Sequence, residues 1–450
     1  MTAVLNRLTA DDDLFLKLHD LYGNALVNQL AWRFDESLDP AVLERFHAHL
    51  AHGFLARRVM TTSVPFARPW WVSAAVSEPL AYQEEPVDEN GVLDWLFAQS
   101  RVEFDPITGR VWRLSAAPTT TGGTLLSLVT SHVSSDGGAV LYAVGDALRR
   151  LDAGDTPDIA TSSGRLVGAI PATGLLRAHL TDALGRLRAA ALSLRAAFVA
   201  RDITEPERNP RPEEPRRLLP DTYSAADLVV EVDAAEWNSI ATAHDGTANG
   251  LMVGVAVGIL GRSGRIGDGS SVRVDIPHSM RGLDDPRANA TTGLPISVPY
   301  RKGEHTDLRQ VRTAVKQAAR AYADPATTPA LQHLQPIQQM LPRFVLGYFS
   351  RTAKAPECLC TNLGETGQSV ATLAGVRASS VLMRPLLCTG ETELFRRLEI
   401  GLNLSWSSDG HTVTLAITGA DPDRFPTRTA LRDHVTDELE AWGLRPRFWA

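Results

Sequence analysis

The chain has 450 residues, 44% hydrophobic and 22% charged, an ordinary globular composition with enough apolar material for a two-lobed unit or two to three domains. Its net charge of -7 argues against a nucleic-acid binder, which needs a basic face. No stretch reaches the roughly 18 apolar residues of a spanning helix, and the N-terminus lacks a basic segment followed by an apolar run, so no signal peptide and no membrane span are expected.

In chain order, "DDD" (11–13) marks a helix start, where carboxylates favour the helix dipole. "ALVNQLAWRF" (25–34) reads as a strand. Residues 39–54 read as a helix, with Asp39 as N-cap, Pro40 in the first turn and Val42, Leu43, Phe46, Leu50 and Phe54 at helical spacing. "RVWRLSA" (110–116) and "GTLLSLVT" (123–130) flank a turn-rich link and predict a hairpin. The spacing of Val140, Leu141, Val144, Leu148 and Leu151 predicts a helix over 138–151. Residues 152–164 are loop-like. Residues 173–198 predict a long linker helix, or helix pair, with Leu176, Leu180, Leu184, Leu187, Ala191, Leu194 and Phe198 on one side and Arg on the other. "EPERNPRPEEPRRLLP" (205–220) is an exposed linker.

The second half begins with a strand (227–232) and two helices, the second carrying the apolar run "GLMVGVAVGIL" (250–260), read as a buried helix. Strands follow at 271–280 and 294–300, a helix at 307–323, a hairpin at 402–419 and a closing helix at 428–444. Both halves repeat strand, helix and hairpin elements. This predicts two related α/β lobes, 1–160 and 223–450, joined by a linker helix and Pro-rich segment over 161–222. Cys358, Cys360 and Cys388 form no C-x-x-C pattern and read as reduced thiols of a cytoplasmic protein.

The candidate for chemistry is "LVTSHVSSDGGAV" (128–140). His132 sits between a buried strand and a helix, and imidazole can take a proton from a hydroxyl or amine. Asp136 either caps the helix or pairs with a buried arginine to orient the loop. Gly137 permits close backbone approach. On these residues alone, His132 is either a base or a satisfied strand-end histidine. The cluster His47, His49 and His52 does not converge as a metal site, with His49 and His52 read as lying on the polar face of their helix.

The order "GRVWRL", "TLLSLVTSHVSSDGGAV", "VDIPHSMRG", "NATTG", "CTNLG" and "GHTVTLAITG" resembles the CoA-dependent acyltransferase superfamily. That superfamily includes chloramphenicol acetyltransferase, condensation domains of nonribosomal peptide synthetases, and polyketide-associated and wax-ester acyltransferases. The resemblance runs over nearly the whole chain. It implies two chloramphenicol-acetyltransferase-like lobes in a V-shaped pseudo-dimer, with the active site between them. It implies His132 as general base in an H-H-x-x-x-D-G signature, Asp136 and Gly137 as structural, and Arg281 of "HSMRG" as the ion-pair partner of Asp136. The first signature histidine is Ser131 here, which can hydrogen-bond and hold His132 in one tautomer. Thr361 or Asn362 is the candidate oxyanion or tunnel residue, and His278, near Arg281, either faces the cleft or is structural. No metal and no tightly held cofactor are expected. The implied reaction moves an acyl group from a phosphopantetheine thioester, on CoA or a carrier protein, to a small-molecule alcohol or amine. Donor and acceptor would enter from opposite faces of a monomer. The alternative is a degenerate module that only binds a carrier protein or recruits a partner enzyme.

Overall fold

A computed structural model describes residues 5–22, 26–74, 77–157, 172–199, 217–282, 285–323, 333–342, 345, 356–387 and 390–450. Residues 158–164 of the loop expected over 152–164, residues 205–216 of the Pro-rich stretch, and Cys388 lie outside them.

Two sheets organise the molecule. The first is five-stranded, in the order Ser380–Leu387, Leu26–Phe34, Thr124–Ser131, Trp112–Pro118, Ala81–Tyr82. The second is seven-stranded: Thr291–Pro299, Ser271–Ser279, Cys358–Asn362, Leu402–Ser408, Thr412–Gly419, Ala226–Asp233, Arg447–Phe448. Both expected hairpins form, antiparallel and in register. One strand crosses between halves: Ser380–Leu387 comes from the second half yet pairs antiparallel with Leu26–Phe34 in the first sheet.

The helices form where their caps and apolar spacing put them. Pro40–Ala51 starts on Asp39, whose Oδ1 accepts from Ala41 N at 2.8 Å, with Pro40 in the first turn. It packs with Gly137–Asp152 over the first sheet, burying Trp32, Phe46, Leu50, Val144 and Leu148. Each such side chain contributes about 1.5–3 kcal/mol of apolar burial. Ala248–Arg262 is apolar on every side because it is enclosed on every side, with Leu251, Val255 and Ile259 fully buried against Val230, Val274 and Leu404.

A third cluster joins the sheets. Ala31 and Leu125 of the first, Leu382 of the crossing strand, and Val229 and Ala416 of the second pack together under Trp449. The same seam carries a buried polar lock: Arg384 donates to Asp227 of the second sheet and to Gln29 Oε1 of the first. The hairpin turn after Trp112–Pro118 has no room for a side chain, since a Cβ on Gly123 would lie 2.2 Å from the Phe34 carbonyl oxygen. Gly123→Ala is expected to destabilise by about 1–3 kcal/mol, read as a lower urea midpoint at unchanged slope.

Cys358 and Cys360 are both free and buried, with sulfurs 3.5 Å apart. Among the described residues no helix is long and apolar enough to cross a membrane. His49 is a correction: it is buried, not on a polar face, because the main chain there lies beneath Arg150, which donates to His49 O at 3.1 Å.

Candidate active site at His132

Strand Thr124–Ser131 is buried along its whole length and delivers the chain into the loop 132–136. Helix Gly137–Asp152 takes it away. His132 is half-buried at this corner. Its ring stacks on Phe15 of helix Ala10–Tyr22, with centroids 4.1 Å apart. Nδ1 is sealed from solvent and has no hydrogen-bond partner among the described residues. Burial pulls the imidazole below its usual 6.5, opposed by interactions with its own main chain, Asp136, Asn289 and Asp12. The ring is therefore neutral at neutral pH, the form that can accept a proton.

Both readings of Asp136 hold at once. Its Oδ1 accepts from Ala139 N at 2.7 Å, which caps the helix, and from Arg281 Nη2 at 2.8 Å. Its Oδ2 accepts from Ala290 N at 2.6 Å and Thr291 Oγ1 at 3.0 Å. Arg281 also donates to the carbonyls of Asp285, Arg287 and Ala288. Gly137 and Gly138 start the helix where space is short: a Cβ on Gly137 would lie 3.0 Å from Leu363, and one on Gly138 would lie 3.2 Å from Arg281 Nε.

A cavity of about 580 Å³ opens at His132. From the first sheet and its loop, Asn28, Asp136, Met383 and Arg384 line it. Leu359, Thr361 and Asn362 line it from the second. Asn362 Oδ1 accepts from Gly364 N at 2.6 Å, which fixes the side chain in the wall. His278 is exposed and does not line the cavity, although its neighbours Pro277 and Ser279 do. On the Ser131 side the opening is only a crevice of about 10 Å³, lined by Phe15, Leu18, His19, Leu26 and Val133. Ser131 does not hold His132: its Oγ accepts from Val133 N at 3.4 Å, and among the described residues no hydrogen bond joins Ser131 to the imidazole. Among the described residues no group of three or more metal-ligating side chains converges.

Several residues at the site are not evident from motif reading. Asn289 ties three segments together. Its Nδ2 donates to Asp12 Oδ1 at 2.8 Å, His132 O at 3.0 Å and Val133 O at 3.2 Å. Asp12 is fully buried and also accepts from Trp71 Nε1 and Thr9 N. The only sequence signals are the strings "NATTG" and "DDD", and neither specifies a partner. Arg384 lines the cavity, with Nη2 buried and without a partner among the described residues. Asp11 also lines the cavity, and burial pushes its carboxyl up to about 6. A carboxyl raised above its unfolded value of 3.8 binds its proton more tightly in the folded state, so its burden on stability appears as pH rises through that window. Asp11→Asn is therefore expected to raise the melting temperature at pH 7.5. The gain should shrink below about pH 6 and vanish below 3.8 in melts taken across pH.

No protein-family model matches the chain, and no curated protein does. Solved structures do. The first condensation domain of the CDA synthetase superposes with TM-score 0.62 at 16% identity, over 98% of this chain and 97% of that one. A variant of the starter condensation domain of rhizomide synthetase, in complex with C8-CoA, gives 0.60 at 12% identity, over 98% and 94%. The condensation domain from Monacolin K polyketide synthase gives 0.57 at 14% identity, over 98% of both chains. The chain has the condensation-domain fold over nearly its whole length.

Proposed function

We propose that this protein is a condensation-type acyltransferase with His132 as general base. The observation that carries the reading is a half-buried, neutral imidazole with one nitrogen sealed, at the wall of a cavity of about 580 Å³ lined from both sheets. With Nδ1 enclosed, Nε2 is the nitrogen left to face a substrate. It takes the proton of an acceptor hydroxyl or amine as that atom attacks a thioester carbonyl. The tetrahedral oxyanion collapses, the C–S bond breaks, and the imidazolium gives its proton to the departing thiolate, which releases the thiol and restores the neutral base. Asp136, Arg281 and Gly137 position the loop, Ser131 packs behind it, and Thr361 or Asn362 supplies the oxyanion donor.

The donor is an acyl group on phosphopantetheine, from CoA or a carrier protein, used as co-substrate by a cytoplasmic monomer. The complex of the rhizomide synthetase domain with C8-CoA supports that class. A module that only recruits a partner would need no cavity at His132.

The test is incubation with acyl-CoA and acyl-N-acetylcysteamine thioesters plus alcohol and amine acceptors. Acceptor-dependent thiol release with an ester or amide product of matching mass is expected. Tight carrier-protein binding with no transfer from any donor would overturn the enzyme reading.

A further inference from the structure

We propose that helix Ala172–Val199 docks this protein in the plane of an anionic membrane surface. Fifteen large hydrophobic residues are exposed among those described, and eight sit on this one helix. They are Leu176, Leu180, Leu184, Leu187, Leu192, Leu194, Phe198 and Val199, between 45% and 76% exposed. Such concentration exceeds the scattered apolar exposure of an ordinary surface. At 3.6 residues per turn they fall within an arc of about 160°.

Arg177, Arg188 and Arg195 are exposed on that same arc. The helix has a single carboxylate, Asp182, and it lies on the opposite face. There it accepts from Arg68 N at 2.8 Å and Arg68 Nη2 at 2.7 Å. Also on the packed face, His179 Nδ1 lies 2.9 Å from Arg7 Nη1, and Arg186 donates to Phe66 O at 3.1 Å. The helix is thus bolted down on one side and presents leucine and arginine together on the other.

Three features select the occupant. An apolar face studded with cations and free of acids matches acyl chains beneath anionic headgroups. A second copy would bring the same unpaired arginines against each other. The arginines also rule out spanning, and the helix is not apolar enough to cross a membrane. The docking does not depend on acyl transfer.

The experiment is flotation of the full chain with phosphatidylcholine vesicles, with and without phosphatidylglycerol. Binding only to the phosphatidylglycerol vesicles, weakening as salt rises, is expected. Leu184→Glu with Leu187→Glu should abolish it while thermal melting is unchanged. Arg188→Gln with Arg195→Gln should lower vesicle affinity about thirty-fold and keep the fold. Failure to float with anionic vesicles overturns the proposal, as does equal flotation of the leucine variant. So does a wild-type dimer in light scattering that the leucine variant dissociates, because the stripe would then be a self-interface.

Discussion

His132→Ala is expected to lower acyl-transfer turnover by about 10²–10⁴-fold and leave the fold standing. The ring is stacked on Phe15 and its Nδ1 has no partner among the described residues, so truncation removes no hydrogen bond at that nitrogen. The loop is instead held by its main chain: Asn289 Nδ2 donates to the carbonyls of His132 and Val133, and His132 N donates to Leu26 O. Turnover and stability should therefore separate. The pH profile is the sharper readout. Because burial lowers the imidazole pKa below 6.5, the base form dominates at neutral pH, and the rate should fall only below that value. The same sign applies to stability: a histidine depressed in the folded state contributes above 6.5 and loses that contribution as pH falls through its folded value. His132→Ala should flatten both. Near-full activity in the variant, or an acid limb above pH 7, would assign the proton to another group.

How much of this was legible in the sequence depends on the range over which each signal acts. Local periodicity is strong, so the strand at Leu26–Phe34, both hairpins and the helices at Pro40–Ala51 and Gly137–Asp152 lie within a few residues of their expected bounds. The cap at Asp39 and the buried run in Ala248–Arg262 were legible for the same reason. Long-range partners were not. "DDD" has the composition of a solvated helix start, and Asp13 does meet Lys17 there at 2.7 Å. Yet Asp12 points inward and meets Asn289, 277 residues away. Nothing in its neighbours specifies that, because the signal lies in the other half of the chain. The crossing strand Ser380–Leu387 has the same cause. No strand is expected over 380–387, and no local feature of that segment says which sheet would receive it.

The long helix shows a different failure. Its leucine spacing is correct for an amphipathic helix, and such a stripe ordinarily marks the face turned to the core. Here the polar side packs inward through Asp182, His179 and Arg186, the leucines face out, and the arginines expected opposite them are split, since Arg177, Arg188 and Arg195 are exposed beside the leucines. Periodicity identifies a face; it does not say what covers it.

Asp136→Ala should give the largest stability loss at the site. The carboxylate has about four acceptor positions, and four donors fill them: Ala139 N, Arg281 Nη2, Ala290 N and Thr291 Oγ1. These come from the helix it caps and from two segments of the second half. Removing it leaves Arg281, whose side chain is 10% exposed, without its anion. Breaking such a buried pair costs about 3–5 kcal/mol, and losing the cap adds about 1. Arg281→Ala should cost less, because Asp136 keeps three donors when the guanidinium leaves. The double variant should then fall well short of the summed single losses, since both remove the same interaction. Urea unfolding of the three variants at pH 7 gives the comparison. Additive losses would mean the two residues act separately, with the cap and the loop around Arg281 held by different contacts. Asp136→Asn separates charge from shape. An amide presents one acceptor oxygen where the carboxylate has two, so it can keep Ala139 N and Arg281 or Ala290 N and Thr291, but not all four. Its loss should lie between wild type and alanine. Because helix Gly137–Asp152 starts on this residue and His132 lies in the same loop, turnover should fall along with stability, unlike the His132 variant, where only turnover falls.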